Sequence, residues 1–132
     1  MLSEKLKQDI KDAYQTLIDN RGLSPRWGQR QMIAEVANAL GDPDAPEPIA
    51  VVEAGTGTGK TIAYTLAALP VARARDKTLV IATATVALQE QLIHRDLPDI
   101  LAHSGLNFRV QLAKGRGRYV CLQKLDNHLA GA

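Results

Sequence analysis

The chain has 132 residues, of which 45% are apolar and 23% are charged, and its formal net charge is +2 at pH 7. These values are ordinary for a globular domain and exclude a disordered or fibrous chain. The net charge is too small by itself to indicate a nucleic-acid partner. A single cysteine excludes an internal disulfide, and no apolar run approaches the ~20 residues that cross a bilayer. We expect a soluble, cytoplasmic protein with no membrane association.

The N-terminal part of the chain predicts two amphipathic helices. Apolar residues recur at helical spacing over residues 2–19, and Arg21-Gly22 ends that run. Ser24-Pro25 has the form of a second helix start, because serine caps helices and proline is tolerated in the first turn. Gly41 ends the second helix, and the proline-rich residues 42–48 form a loop.

After residue 48 the pattern changes to short apolar runs that alternate with helical segments. Three runs predict strands, and we expect them to be buried in a parallel sheet: residues 49–52, 78–82 and 108–113. Helices are predicted from Lys60 into the seventies, where Pro70 ends or kinks the helix, then over 86–94 and 122–129, with a further turn or two over 97–103. This alternation predicts an α/β fold in which helices flank a parallel sheet, preceded by the N-terminal helices.

Residues 53–61 read Glu-Ala-Gly-Thr-Gly-Thr-Gly-Lys-Thr, between a predicted strand and a predicted helix. The phosphate-loop pattern is Gly, four residues, then Gly-Lys-Ser/Thr, so Gly59, Lys60 and Thr61 match and Ala54 replaces the first glycine. Glycines let backbone N–H groups close around phosphate oxygens, and the helix start adds the positive end of its dipole. The alternative is a glycine-rich turn with an exposed lysine.

From this pattern we predict a nucleotide site with ATP as ligand. Its phosphate-binding residues are Ala54, Gly55, Thr56, Gly57, Thr58, Gly59, Lys60 and Thr61. Lys60 and Thr61 are the predicted catalytic pair. The Lys60 ammonium would hold the β- and γ-phosphates, and the Thr61 hydroxyl would ligate Mg²⁺.

Polar groups in three other segments have both a functional and an ordinary explanation. The Gln29 amide can read an adenine edge, or it can be a surface group on a helix. Thr83 and Thr85 can offer an anion site at a helix start, or they can simply cap that helix. The run from Arg109 to Lys124 has five basic residues and no acidic one. It can contact a nucleic acid, or it can be an ordinary solvated surface.

Four segments together resemble, in order and spacing, motifs of superfamily-two helicases, in the branch that holds DinG, YoaA and XPD. They are Pro-Arg-Trp-Gly-Gln-Arg-Gln-Met at 25–32, the loop at 53–61, Thr-Ala-Thr-Val-Ala-Leu-Gln-Glu-Gln at 83–91, and Ala-Lys-Gly-Arg-Gly-Arg-Tyr-Val-Cys at 113–121. The resemblance covers the chain from about residue 25 to about residue 125. Within the branch, the wording of the segments is most similar to the bacterial DinG type.

The resemblance implies three regions: an N-terminal helix at 1–24, part of a first RecA-like ATP-binding domain at 25–113, and the start of an iron–sulfur domain at 114–132. It implies adenine recognition by Arg26 and Gln29. The DNA-binding residues that it implies are Thr83, Thr85, Gln89, Arg116, Arg118 and Tyr119. Cys121 falls on the first of four ligand positions of a 4Fe–4S cluster, whereas a lone cysteine is otherwise a buried or half-buried thiol.

The function implied is an ATP-dependent 5′–3′ DNA helicase of repair and replication. Its substrates would be single-stranded and branched DNA, including junctions and R-loops, and it would act as a monomer. The chain lacks an Asp-Glu-x-His segment, a second RecA-like domain and three cluster cysteines. We therefore expect a fragment that binds nucleotide weakly and hydrolyses no ATP.

Two other classes share the phosphate loop. A small-molecule or nucleotide kinase would use the same residues, but it leaves the 83–91 segment without a role. A short non-enzymatic protein that binds nucleotide or DNA would need the chain to fold alone.

Overall fold

The computed structural model describes residues 1–131, and within that range it consists of helices joined by irregular segments. The α-helices are α1 (Glu4–Arg21), α2 (Trp27–Gly41), α3 (Lys60–Ala74), α4 (Val86–Gln91), α5 (Leu97–His103) and α6 (Leu122–Ala130). A π-helical turn at Leu92–Asp96 joins α4 to α5, and a 3₁₀ turn covers Arg116–Arg118. None of the described helices combines the length and the apolar character needed to span a membrane.

The core lies where α1, α2 and α3 pack together, with α5 against α1. The α1 helix begins at Ser3, whose hydroxyl accepts a hydrogen bond from the Leu6 N–H at 3.3 Å, and it ends at Gly22 with φ 60°. A capped helix with one apolar face gains most of its stability from packing that face on its neighbours. Five residues of this core have no exposed surface: Leu17, Ala63, Leu66, Ala67 and Ile100.

The predicted parallel sheet, and with it the α/β fold class, is wrong for the described residues. No strand is present between residues 1 and 131. The three predicted strand runs form no backbone ladder with one another, and Val51 and Val80, which were expected to be buried, are 95% and 82% exposed. Their β-branched residues indicate only a local preference for the extended backbone of a strand. A chain realises that preference where a neighbouring segment accepts its backbone hydrogen bonds.

The start of α2 also differs from the prediction. Ser24 does not cap the helix; Arg26 takes the cap position, with extended backbone and no side-chain cap hydrogen bond. Pro25 favours extended backbone at the residue before it, and the backbone N–H of Arg26 donates to the Tyr14 hydroxyl at 3.3 Å. This hydrogen bond ties the start of α2 to α1, so the helix begins at Trp27.

Two prolines are accommodated inside longer helical stretches. Pro70 does not end α3, because the helix continues through it to Ala74; a kink at Pro70 stays a prediction. The helix predicted over 86–94 and the turns predicted over 97–103 are both present, and the π turn joins them into one stretch. Pro98 lies in the first turn of α5, where its missing N–H is tolerated.

Thr65 provides a test of the packing of α3. Its side chain is 1% exposed, and its Oγ1 has no hydrogen-bond partner within residues 1–131. Because an unpartnered buried hydroxyl costs roughly 1–3 kcal/mol, we expect Thr65→Val to raise the free energy of unfolding by about 1 kcal/mol in urea denaturation. Thr65→Ser is the control, since it keeps the hydroxyl, loses a methyl group and should lower stability. A valine variant less stable than the wild type would contradict this reading of α3.

Candidate functional site

The glycine-rich loop at residues 54–59 leads directly into α3, which begins at Lys60. Gly57 and Gly59 have φ values of 78° and 80°, in the left-handed region that favours glycine. Gly59 is the cap residue of α3, and no side chain caps the backbone N–H groups of the first turn. The positive end of the helix is therefore open to an anion.

The polar side chains of the loop bond to its own carbonyl groups. The Thr58 hydroxyl donates to the Gly55 carbonyl at 2.6 Å, and the exposed Lys60 ammonium donates to the Ala54 carbonyl. The half-buried Thr61 hydroxyl lies 3.5 Å from the Tyr64 hydroxyl. A positive charge and an open helix N-terminus thus lie on one short segment, and both groups favour the binding of an oxyanion.

Two residues of the α2 start hold this loop. The Arg26 guanidinium donates to the Gly57 carbonyl, and the Gln29 Nε2 donates to the Gly59 carbonyl at 3.1 Å. Gln29 is 5% exposed, so the expectation of a surface amide is wrong. The structure brings both predicted adenine-recognition residues against the phosphate loop. Their contact with adenine itself stays a prediction.

Sequence reasoning missed Tyr14, which lies on the buried face of α1. Its hydroxyl donates to the Gln29 Oε1 at 3.0 Å, and the residue is 7% exposed. The signal was a tyrosine four residues from Ile10 and from Ile18 on an apolar helix face. A buried tyrosine hydroxyl usually has a hydrogen-bond partner, so this position pointed to a polar contact inside the core.

The predicted DNA-binding residues lie on the 83–91 segment and on the basic segment, which is the run from Arg109 to Lys124. Thr85 caps α4 by accepting from the Leu88 N–H at 3.2 Å, which confirms the ordinary capping explanation for this residue. The Thr83 hydroxyl donates to the Thr85 carbonyl at 3.3 Å. Gln89 accepts from the Arg118 guanidinium at 2.5 Å. The Arg118 guanidinium also lies 3.7 Å from the Glu90 carboxylate, so it joins the end of the 83–91 segment to the basic segment.

The rest of the basic segment is open to solvent. Arg116 is exposed, and its side chain makes no hydrogen bond within residues 1–131. The Tyr119 hydroxyl accepts from the Lys114 N–H at 2.8 Å, and Tyr119 is 55% exposed. Cys121 is an exposed free thiol at the start of α6. It is not the buried or half-buried thiol that is the usual state of a lone cysteine.

A glycine-rich loop that opens a helix and is held by side chains of the preceding helix has the geometry of an anion-binding loop. No protein-family model matches the chain. Curated proteins named ATP-dependent DNA helicase DinG do match it. The protein from Photobacterium profundum is 45% identical over 130 residues, which is 96% of this chain and 18% of the relative. Those from Salmonella choleraesuis and Escherichia coli K12 are 42% and 41% identical over 125 residues, which is 94% of this chain and 17% of each relative.

This similarity identifies the chain as a DinG-type segment and confirms the resemblance seen in its motifs. The chain spans less than a fifth of the length of the curated relatives that it matches. The assignment of the segment rests on similarity along nearly the whole of this chain.

The three loop glycines allow a graded test of the loop geometry. A Cβ at Gly55 meets nothing within 4 Å, a Cβ at Gly57 meets nothing but requires positive φ, and a Cβ at Gly59 requires positive φ and collides with the Gln29 amide. Because left-handed backbone costs an L-residue roughly 1–2 kcal/mol, we expect Gly57→Ala to lower the free energy of unfolding by about 1 kcal/mol. Gly59→Ala should cost more, and Gly55→Ala almost nothing. Equal losses at Gly55 and Gly59 in denaturant titrations would contradict the loop conformation.

Proposed function

We propose that this chain is the nucleotide-binding segment of an ATP-dependent DNA helicase. The observation that carries the proposal is the open helix start behind the glycine-rich loop, with Lys60 on it, in a chain of DinG type. The complete protein would move 5′ to 3′ on single-stranded and branched DNA, including junctions and R-loops. It would serve repair and replication as a cytoplasmic monomer.

ATP phosphates would bind where Lys60 now contacts the loop. The Lys60 ammonium donates to the Ala54 carbonyl, a neutral acceptor. A phosphate oxygen is a charged acceptor and forms the stronger hydrogen bond, so it replaces the carbonyl as the partner of the ammonium. The backbone N–H groups of the loop and the first turn of α3 then surround the phosphate oxygens. Lys60 stabilises the charge that develops on the transferred phosphoryl group.

Adenine recognition is proposed for Arg26 and Gln29, because both lie beside the loop. Gln29 uses one amide N–H for the Gly59 carbonyl and one lone pair of Oε1 for the Tyr14 hydroxyl. An amide has a second N–H and a second lone pair, which match the donor and acceptor on the adenine edge. This pairing favours ATP over GTP.

The residues of the first turn of α3 fit a magnesium ion that accompanies the nucleotide. Thr61 offers a half-buried hydroxyl next to Lys60, and Mg²⁺ takes oxygen ligands together with nucleotide phosphates. When bound, the ion would neutralise phosphate charge. Residues 1–131 contain no group of three or more His, Cys, Asp or Glu side chains that could hold a metal. Thr61 is therefore the residue of this chain that we propose as a magnesium ligand.

A 4Fe–4S cluster does not fit the residues of this chain alone. Such a cluster takes four thiolates, and the sequence has one cysteine, whose thiol is exposed. Cys121 as one of four ligands stays a prediction from the resemblance, and no step of the nucleotide chemistry depends on it.

DNA contact is proposed for the surface that joins α4 to the basic segment. The polar residues on the α4 side are Thr83, Thr85 and Gln89, and those on the segment side are Arg116, Arg118 and Tyr119. Arg116 and Arg118 would pair with backbone phosphates, and the exposed Tyr119 ring would stack on a base. The contact between Gln89 and Arg118 holds the two sides together.

The phosphate-binding role is tested by Lys60→Ala. The side chain is exposed, so we expect the variant to be as stable as the wild type. Mg²⁺–ATP should bind at least tenfold more weakly in isothermal titration calorimetry, because the loop loses the ammonium group that would hold the phosphates. Lys77→Ala is the matched control, since Lys77 is an exposed lysine just beyond the other end of α3. Equal affinities of Lys60→Ala and the wild type for Mg²⁺–ATP would contradict the proposal.

The DNA-binding role is tested by Arg118→Ala, measured with a fluorescent oligothymidylate at several salt concentrations. We expect weaker binding and a slope of log K against log salt reduced by about 0.7, the value for one phosphate contact on a single strand. Lys5→Ala on α1 is the control, because it removes an equal charge from an exposed site outside the basic segment. The same affinity and slope for both variants would remove Arg118 from the interface.

A further inference from the structure

Three hydrogen bonds connect the N-terminal helix to the phosphate loop. The Tyr14 hydroxyl on α1 accepts from the Arg26 N–H at 3.3 Å and donates to the Gln29 Oε1 at 3.0 Å. The Gln29 Nε2 then donates to the Gly59 carbonyl at 3.1 Å. Tyr14 and Gln29 are 7% and 5% exposed, so water has little access to replace these contacts.

The donors and acceptors of this chain of bonds agree with only one arrangement of the Gln29 amide. The Arg26 N–H can only donate, so the Tyr14 oxygen accepts there and its own hydrogen is free for Gln29. The Gly59 carbonyl can only accept, so Gln29 must present its NH₂ group to the loop. A reversed amide would set two carbonyl oxygens against each other at Gly59.

We propose that Tyr14 is a positioning residue of the nucleotide site, which acts on the loop through Gln29. The inference rests on the proposed function, because it concerns the loop that would bind ATP. Gly59 caps α3 in left-handed backbone, and its carbonyl is the group that Gln29 holds. Tyr14 orients the Gln29 amide, the amide fixes Gly59, and Gly59 sets the direction of the N–H groups that would receive the phosphates.

Loss of the Tyr14 hydroxyl therefore has a predictable effect on the loop. Tyr14→Phe keeps the ring in the core but leaves the Gln29 Oε1 and the Arg26 N–H without their partner. The amide is then no longer held in the orientation that bonds Gly59. We expect Mg²⁺–ATP binding to weaken about threefold to tenfold, the effect of one net hydrogen bond. Gln29→Asn, whose amide is one methylene shorter, should lose a similar factor.

A double-variant cycle separates positioning from simple support of the core. If Tyr14 acts through Gln29, Tyr14→Phe changes the ATP dissociation constant in the wild type but not in a Gln29→Ala background. A purely structural tyrosine would weaken binding by the same factor in both backgrounds. Ile18→Val is the packing control, because it removes one methylene from the same buried face of α1 and touches no hydrogen bond. Its ATP affinity should equal that of the wild type.

The outcomes distinguish this inference from the proposed function. Weaker binding by Tyr14→Phe and Gln29→Asn, with no added effect on Gln29→Ala, supports the positioning role. If Lys60→Ala weakens ATP binding but Tyr14→Phe and Gln29→Asn bind as the wild type does, the positioning role is overturned and the nucleotide site stands. If Lys60→Ala and the wild type bind ATP equally, the proposed function fails and the positioning role falls with it.

Discussion

The carbonyl of Gly59 is the point on which the nucleotide site depends. It belongs to a residue in left-handed backbone that caps α3, and it accepts a hydrogen bond from the buried Gln29 amide of α2. A buried amide must satisfy both of its ends, so the loop conformation is coupled to the packing of the core. The direction of the α3 N-terminus, and hence of any anion bound there, follows from that coupling.

The helices could be predicted from the sequence because the residues that determine them lie close together in the chain. The apolar periodicity of α1 and the glycine after it predict a helix that the structure places at Glu4–Arg21. The glycine-rich loop and the helix that follows it were also predicted, since the residues that bend the loop lie inside it. In each case the information that decides the conformation lies within a few residues of the position concerned.

The absence of a sheet and the burial of Gln29 could not be predicted from the sequence, because both depend on contacts with distant segments. Residues 49–52 have the composition of a buried strand, yet Ile49 and Val51 are exposed and no described segment pairs with them. Gln29 looks like a surface amide, but the Tyr14 hydroxyl of α1, 15 residues away in sequence, bonds to it. The contact between Gln89 and Arg118 spans 29 residues, and no local pattern indicates it. Long-range hydrogen bonds therefore determine the parts of the site that motif spacing leaves undetermined.

The most direct test of the account is a titration of the ¹⁵N-labelled chain with Mg²⁺–ATP, followed by the backbone amide resonances. If the loop and the start of α3 receive the phosphates, the largest shifts fall on residues 55–61, and the side-chain amide of Gln29 shifts with them. Shifts confined to another part of the chain, such as α6, or no shifts at millimolar ATP, would contradict the central claim that this loop is a nucleotide site.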